Sequence, residues 1–554
     1  MITVAKYISK FLDAKNIQHV FGYQGGAVMK IIDAVSDKYI QNYHEQSSAF
    51  CADGYSRVNN EIGVAISTSG PGATNMITGI ANAYCDSIPV LFITGQDVLS
   101  NLDFSRNLRT NGYQDVNIVK MVEPITKYAL TLTDPTMIRY ELEKCYRIAT
   151  SGRKGPVLID IPSDIQACFV DEKSLIGYVC EDEDVINFDI NDIVELFNKS
   201  QKPIILVGGG VKRGNANSII DEFATRTKIP VITTLNGKDS SFVAYGFSGM
   251  HGQVYANLAI KNADLILALG TRFGIQQAGK DHKSYTNAKI VHVDIDEFEL
   301  NRTLQTDINI KADVKAFAQE LNKTNVSVNI SDWLETLKIW KDKYKDANCV
   351  NEDGIDPVKF VRKILTDYKF DVISTDVGQN QLWVAQGIDK LDKGQSYLTS
   401  SGLGSMGYSI PAAIGASYVK NNVVAFCGDG GFQMNLQELQ LIAKKNLNIK
   451  IVVFNNKTLG KIKEMQLKSE PQSFAGTKEE DFSCPDLEKV SVLYGLGYSK
   501  VERIEQVSNL KSLITKKGPC IIDVKVSNLA KLATKVDNDI LNRESIKCDN
   551  RVCV

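Results

Sequence analysis

Residues 422–456 read NVVAFCGDGGFQMNLQELQLIAKKNLNIKIVVFNN. A β-branched apolar run stops at Gly428, a stretch with helical spacing follows, and a second apolar run stops at Asn455-Asn456. This is strand, helix, strand. Parallel strands need a crossover of about a dozen or more residues, and the interval from Asp429 to Asn456 supplies one, so Asn456 is expected to return beside Asp429. A carboxylate and an amide oxygen then share one small site. Hard oxygens suit Mg2+, which takes its remaining ligands from bound phosphate. Gly428, Gly430 and Gly431 let backbone N–H groups close on a diphosphate. An isolated GDG triplet reads equally well as a tight turn; the paired Asn at crossover distance makes it a candidate site.

The same alternation extends over the chain. GVAIST (63–68), VLFIT (90–94), PIILV (203–207), DLILALG (264–270), KIVHVDI (289–295) and IKIVVF (449–454) are short apolar runs between helical stretches, the pattern of an α/β protein with parallel sheets. Polar segments at 180–192 and from Lys323 to Asp356 read as linkers. They divide 554 residues into domains at 1–180, 190–330 and 352–530, with a C-terminal extension at 531–554. Each domain is expected to be a doubly wound parallel sheet.

With 63 basic against 65 acidic side chains, no field exists to draw the chain onto nucleic acid or anionic membrane, and a small-molecule partner is expected. No apolar run approaches the roughly 20 residues of a membrane span, and the N-terminal stretch lacks the pattern of a signal peptide. A cytoplasmic protein is expected. The 11 cysteines never fall as C-x-x-C and read as reduced thiols.

The middle segment carries VGGGVKRG (207–214), GMHG (249–252), LGTRFG (269–274) and VDIDEFE (293–299). Glycines after strands admit a dinucleotide, and an acid at a strand end takes ribose hydroxyls. The spacing of Gly208, Gly210 and Gly214 misses the G-x-G-x-x-G fingerprint by one residue, and plain strand-turn glycines remain the alternative.

GDGG followed by NN resembles the thiamine diphosphate motif of pyruvate-decarboxylating and carboligating enzymes. FGYQGGA, YHEQSSAFCADGYSR, TSGPGATN, AYCDSIPVLFITGQ, GRKGPVLIDIPSD, DVGQNQLW and SGLGSMGYSIPAAIG extend the resemblance over nearly the whole chain, toward the large catalytic subunit of acetolactate synthase. The resemblance implies a pyrimidine-binding N-terminal domain, a middle domain like those that bind FAD, and a diphosphate-binding C-terminal domain. It implies Glu45 as the group that stabilises the imino form of the cofactor's aminopyrimidine, Met406 as the residue that bends the cofactor, and Gln114 near the reacting centre. Gly378, Gln379, Asn380, Gly404, Gly428, Gly430, Gly431, Asn456 and Gly460 would touch the cofactor; Asp429, Asn456 and the Thr458 carbonyl would hold Mg2+. FAD is implied through Arg153, Gly208, Gly209, Gly210, Met250, His251, Gly270, Arg272 and Asp296. The family's shared sites imply a homodimer or homotetramer.

The departures from the family pattern fall where the second substrate binds. Gln276 stands for an Arg that would clamp a carboxylate, Ser163 for a Lys and Met465 for a Trp, whereas Gly26 of FGYQGGA is retained. A longer loop after ITGQ brings Arg106 and Arg109. The chain is therefore expected to decarboxylate pyruvate or a related 2-keto acid and to pass the two-carbon unit to a carbonyl acceptor. A nucleotide-linked ketosugar, whose diphosphate the two arginines suit, is one attractive acceptor. A true acetolactate synthase and a non-oxidative decarboxylase are the alternatives.

Overall fold

The computed structural model describes residues 1–102, 108–180, 188–279, 285–346, 354–469 and 473–532. Three six-stranded sheets, parallel throughout, carry the chain. A short antiparallel pair, β1 (Ile2–Thr3) with β8 (Phe169–Val170), sits beside the first. That sheet contains β2 (Val20–Gly22), β3 (Tyr39–Gln41), β4 (Gly63–Ser67), β5 (Val90–Gln96), β6 (Tyr128–Thr131) and β7 (Val157–Pro162) in the order β3-β2-β4-β5-β7-β6. Every residue of β4, β5 and β7 is buried, as strands covered by helices on both faces require.

The second sheet, of β9 (Pro203–Val207), β10 (Val231–Thr233), β11 (Gly246–Phe247), β12 (Leu265–Leu269), β13 (Lys289–Asp294) and β14 (Ile308–Lys311), runs β11-β10-β9-β12-β13-β14. This third-second-first-fourth-fifth-sixth order is that of dinucleotide-binding sheets. The third, of β15 (Val372–Thr375), β16 (Ser396–Thr399), β17 (Val423–Gly428), β18 (Ile449–Asn455), β19 (Gly497–Val501) and β20 (Cys520–Lys525), runs β16-β15-β17-β18-β20-β19. Its winding repeats that of the first sheet. In all three the strand order reverses beside the first strand of the winding, and ligands of such sheets bind at that reversal, outside the carboxyl ends of the strands.

The first and third domains share a core. Phe50, Tyr55 and Phe92 join Tyr408, Ile414 and Phe432 in one buried cluster. Helices Glu45–Asn59 and Ser409–Ser417 cross there with their backbones in contact: a Cβ on Gly54 would lie 2.3 Å from the Ala412 carbonyl oxygen, and one on Gly415 1.9 Å from that of Cys51. The middle domain has a separate core. It includes Trp333, Leu337 and Trp340 of the helix Ser331–Tyr344, which occupies a segment expected to be a linker. The composition of that segment is polar, but its three buried side chains recur at helical spacing and cover one stripe.

Arg57 ties the domains electrostatically. It is 1% exposed and donates through Nε to Asp53 at 2.6 Å and through Nη2 to Asp86 at 2.9 Å. Asp53 also accepts from Tyr408 Oη at 2.6 Å, Asp86 accepts from the Ser401 and Gly402 amides, and Asn236 of the middle domain donates to Asp86.

Candidate active site

β17 and β18 pair with Gly428 opposite Phe454, so Asp429 and Asn456 leave the sheet edge close together, as the crossover spacing predicts. With Thr458 they line a cavity of about 470 Å3 at the reversal between β15 and β17. Asp429 is 2% exposed. Its Oδ1 accepts from the Gly430 amide at 2.8 Å, whereas Oδ2 has no hydrogen-bond partner. Desolvation pushes the carboxyl up to about 7, against the pull of nearby backbone N–H groups at Gly430, Lys457, Thr458 and Asn456. An orphaned, buried carboxylate oxygen is completed by a cation. No group of three or more His, Cys, Asp or Glu side chains fit to hold a metal occurs among the described residues; the further oxygens available are neutral, from the Asn456 side chain and the Thr458 carbonyl. The Thr458 hydroxyl is committed to the Thr477 carbonyl at 2.8 Å.

Backbone conformation opens this cavity. Gly378 caps helix Gln379–Gly387 at φ +91°, and Gly404 lies at φ +74°. Nothing lies within 4 Å of a Cβ built on either, so glycine is needed there for the left-handed backbone and not for want of room. At Gly460 a Cβ would meet Gln379 Oε1 at 2.0 Å, so a larger residue there would turn that side chain away. Gln379 Oε1 and Asn380 Oδ1 are buried without partners, as acceptors awaiting a donor or water. Asp376, which the sequence did not single out, accepts from the Gly407 and Ser409 amides at 2.9 and 3.0 Å. It thereby holds the loop that brings Met406 to the cavity beside Gly430.

Glu45 does not line this cavity. It opens its helix at the carboxyl edge of the first sheet, 7% exposed, with Oε2 accepting from Asn75 at 2.9 Å. The turn before it is bolted to the third domain, where Glu438 accepts from Asn42 and from the Tyr43 amide at 3.0 and 2.9 Å. Gly26, Gln114 and Ser163 occupy the same edge. Gln114 is exposed at φ +58° and packs on Gly70; Gly26 starts the turn after β2, and Ser163 follows β7 with its amide on the Gln96 carbonyl. Arg109 is exposed and lines neither cavity described here, and Arg106 lies outside the described residues. Met465 is 60% exposed on helix Gly460–Gln466, and Ile462 of that helix lines the cavity instead.

A second cavity, of about 590 Å3, sits at the reversal between β9 and β12. Gly208, Gly209, Gly210, Gly270, Arg153 and Arg272 line it. A Cβ on Gly208 would strike the Gly270 carbonyl oxygen at 2.1 Å, so the two strand ends meet backbone to backbone. Lys154 and Arg213 also line it, their charges disfavoured chiefly by desolvation; the anion of a diphosphate is what such a pair lacks. Asp296 meets the cavity through one of its lining residues, Arg153. It caps the turn at Phe298 and pairs with Arg153 at 2.6 Å, while Asp294, at the end of β13, faces the cavity with its carboxyl pushed up to about 6 by burial. VDIDEFE holds four acids, of which Asp294 and Glu299 line the cavity. Met250 and His251 line the first cavity; Gln276 lines both.

Three family models fit this architecture. The N-terminal TPP-binding domain of thiamine pyrophosphate enzymes matches residues 2–121, their central domain 190–321 and their C-terminal TPP-binding domain 376–524. The chain belongs to the thiamine pyrophosphate enzyme family. Within it, the chain is 35% identical to the probable acetolactate synthase large subunit of Methanocaldococcus jannaschii, over 94% of this chain and 91% of that one. It is 33% identical to the acetolactate synthase isozyme 2 large subunit of Escherichia coli (98% and 99%) and 34% to the chloroplastic acetolactate synthase of Arabidopsis thaliana (94% and 81%). It is thus an acetolactate synthase-like, thiamine diphosphate-dependent enzyme. Among the described residues no helix is long and apolar enough to cross a membrane.

Proposed function

We propose that the chain is a carboligase that decarboxylates pyruvate or a related 2-keto acid and transfers the two-carbon unit to a carbonyl acceptor. The observation that carries this reading is the unpartnered Asp429 Oδ2 in a glycine-lined cavity with Asn456, Thr458 and Met406. Bound thiamine diphosphate would supply the electron sink for carbon dioxide loss. Asp429, Asn456 and the Thr458 carbonyl would hold Mg2+ against its diphosphate, and the amides of Gly430 and Gly431 would approach the same phosphates. Met406 would fix the cofactor's bend. Glu45, held through Oε2 by Asn75, keeps Oε1 toward Gly72, where absence of a side chain leaves space; that oxygen would share a proton with a ring nitrogen of the aminopyrimidine. Glu45 lies outside the cavity built by Asp429 of its own chain, which supports a site shared between two chains, in a homodimer or a dimer of dimers. The exposure of Tyr23, Met29, Tyr113, Leu403 and Met465 supports burial against a second copy.

The second cavity supports FAD. Its glycines and its Lys154–Arg213 pair suit a dinucleotide diphosphate, and Gln276 and Leu235, common to both cavities, mark where a flavin ring would reach the first.

Acetolactate synthesis, with a second 2-keto acid as acceptor, is the reading that the relatives' names support. A second reading, transfer to a nucleotide-linked ketosugar, is favoured by one observation: at the junction of the cavities stands the neutral Gln276, where the family pattern has an arginine. Mass spectrometry of products from pyruvate with a panel of 2-keto acid, sugar and aldehyde acceptors tests both. Absence of carbon dioxide release and of ligated product in the presence of thiamine diphosphate and Mg2+ would refute the carboligase reading.

A further inference from the structure

The carboxyl edge of the first sheet, which also bears Glu45, carries a cation that no motif announces. Lys30, the second residue of helix Met29–Ala34, reaches across the carboxyl edge of the first sheet and donates through Nζ to the Ser163 carbonyl at 2.8 Å. Three strand ends converge there. Gly25 and Gly26 follow β2, and a Cβ on Gly25 would lie 2.4 Å from Thr68 Cβ, just past β4; the Ala27 amide donates to Thr68 Oγ1, and the Ala27 carbonyl accepts from Gln166 beyond β7. Lys30 rides on this turn, so its position is tied to Gly26 and not to a flexible loop.

Among the described residues no ion pair holds Lys30, with Asp33 exposed one turn along the same helix. Asp164 takes the amides of Leu99 and Ile165, and Asp97 takes the Val98 amide and Asn101 Nδ2. The Ser163 carbonyl engages one of three ammonium donors, and the Lys30 side chain is exposed. Its charge stands beside residue 163, where the family pattern has a lysine and this chain has serine.

We propose that Lys30 is a specificity-determining residue of the carboligation, supplying from a different element the cation that Ser163 cannot, and gripping an anionic oxygen group of the acceptor. This rests on the carboligase reading. The group is the carboxylate of a 2-keto acid or the phosphate of a sugar; both present anionic oxygens to an ammonium.

The test measures ligation from pyruvate to three acceptors: a second 2-keto acid, a phosphorylated ketose and a neutral aldehyde. Lys30→Gln is expected to raise KM about ten- to a hundredfold for the anionic acceptor that wild type prefers, the scale of one lost charged hydrogen bond, with kcat and the aldehyde KM within about twofold. Lys30→Arg should stay near wild type. Lys30→Gln/Ser163→Lys should recover most of the loss. Which anionic acceptor responds identifies carboxylate or phosphate. Equal losses for the aldehyde and the anion, accompanied by a lower melting temperature, would make Lys30 a structural tether and overturn the assignment. So would an unchanged KM for the anion. Failure of wild type to ligate any acceptor, the aldehyde included, would instead overturn the carboligase reading and this assignment with it.

Discussion

Replacing Arg57 by methionine keeps the volume of the side chain and removes the cation hydrogen-bonded to both Asp53 and Asp86. Burial opposes the guanidinium's charge, but the oxygens of Asp53, Tyr408 and Asp86 outweigh it and hold the group protonated well above its ordinary range. In Arg57→Met two buried carboxylates are left without that counter-charge. Removing one partner of a buried ion pair costs about 3–5 kcal/mol, equivalent to roughly a hundred- to several-thousandfold in the unfolding equilibrium. Because Asp86 also anchors the Ser401 and Gly402 amides, the loss should fall in the transition that separates the first and third domains. Urea unfolding followed by tryptophan fluorescence and far-ultraviolet circular dichroism measures it. The triple variant Arg57→Met/Asp53→Asn/Asp86→Asn should recover at least half of the loss, since its neutral amides no longer need the cation. A single variant within about 0.5 kcal/mol of wild type, the range of an ordinary surface change, would refute the reasoning, as would a triple variant less stable than the single one.

Glu45→Gln should fold normally and lose on the order of 10²-fold or more in turnover, and mixing it with Asp429→Ala should regenerate one working site per exchanged dimer; verified subunit exchange without recovery would contradict the two-chain site. The purified protein should be yellow, and its heat-released supernatant should chromatograph as FAD; a colourless, fully active enzyme would sink the flavin assignment. In the cofactor-loaded titration, Mg2+ must meet an ionised Asp429, whose carboxyl without metal is pushed up to about 7 by desolvation. Apparent Mg2+ affinity should therefore fall as pH drops through 7, by roughly 30-fold between pH 8 and 5.5, and a flat profile would show that burial does not hold this carboxyl near 7. Gly415→Val places carbon where Cys51 O now sits 1.9 Å from the Cβ position; about 1–3 kcal/mol of overpacking and lower activity should appear together, and an unchanged melting temperature would show that the helices can part.

The strands were legible because a parallel strand buried on both faces is a short apolar run with nothing polar inside it, as GVAIS and VLFIT show. Asp429 and Asn456 were legible because a crossover has a minimum length and a fixed direction. The repeated winding of the first and third sheets was not, since strand order depends on which helix passes over which face and leaves no trace in periodicity. Lys30 escaped notice for a related reason: its acceptor is a main-chain carbonyl 133 residues away, and a carbonyl carries no residue-type signal. In VDIDEFE the strand ends at Asp294, so Asp294 lines the cavity directly, whereas Asp296 meets it through Arg153; a two-residue difference of that kind leaves no mark in composition. The helix Ser331–Tyr344 was hidden by its lysines and aspartates, which outnumber the three residues that dock it.

The contact between helices Glu45–Asn59 and Ser409–Ser417 restricts how a substrate can enter. With Gly54 against Ala412 and Gly415 against Cys51, the crossing has no clearance, and pulling the helices apart would expose a shared apolar core. The crossing is a pivot without play, and the stretches bearing Glu45 and Met406 in one chain are carried on opposite sides of it. Admission and release of small molecules must then be accomplished by segments hung outside this pivot, such as Gly460–Gln466, and the two domains move as one piece.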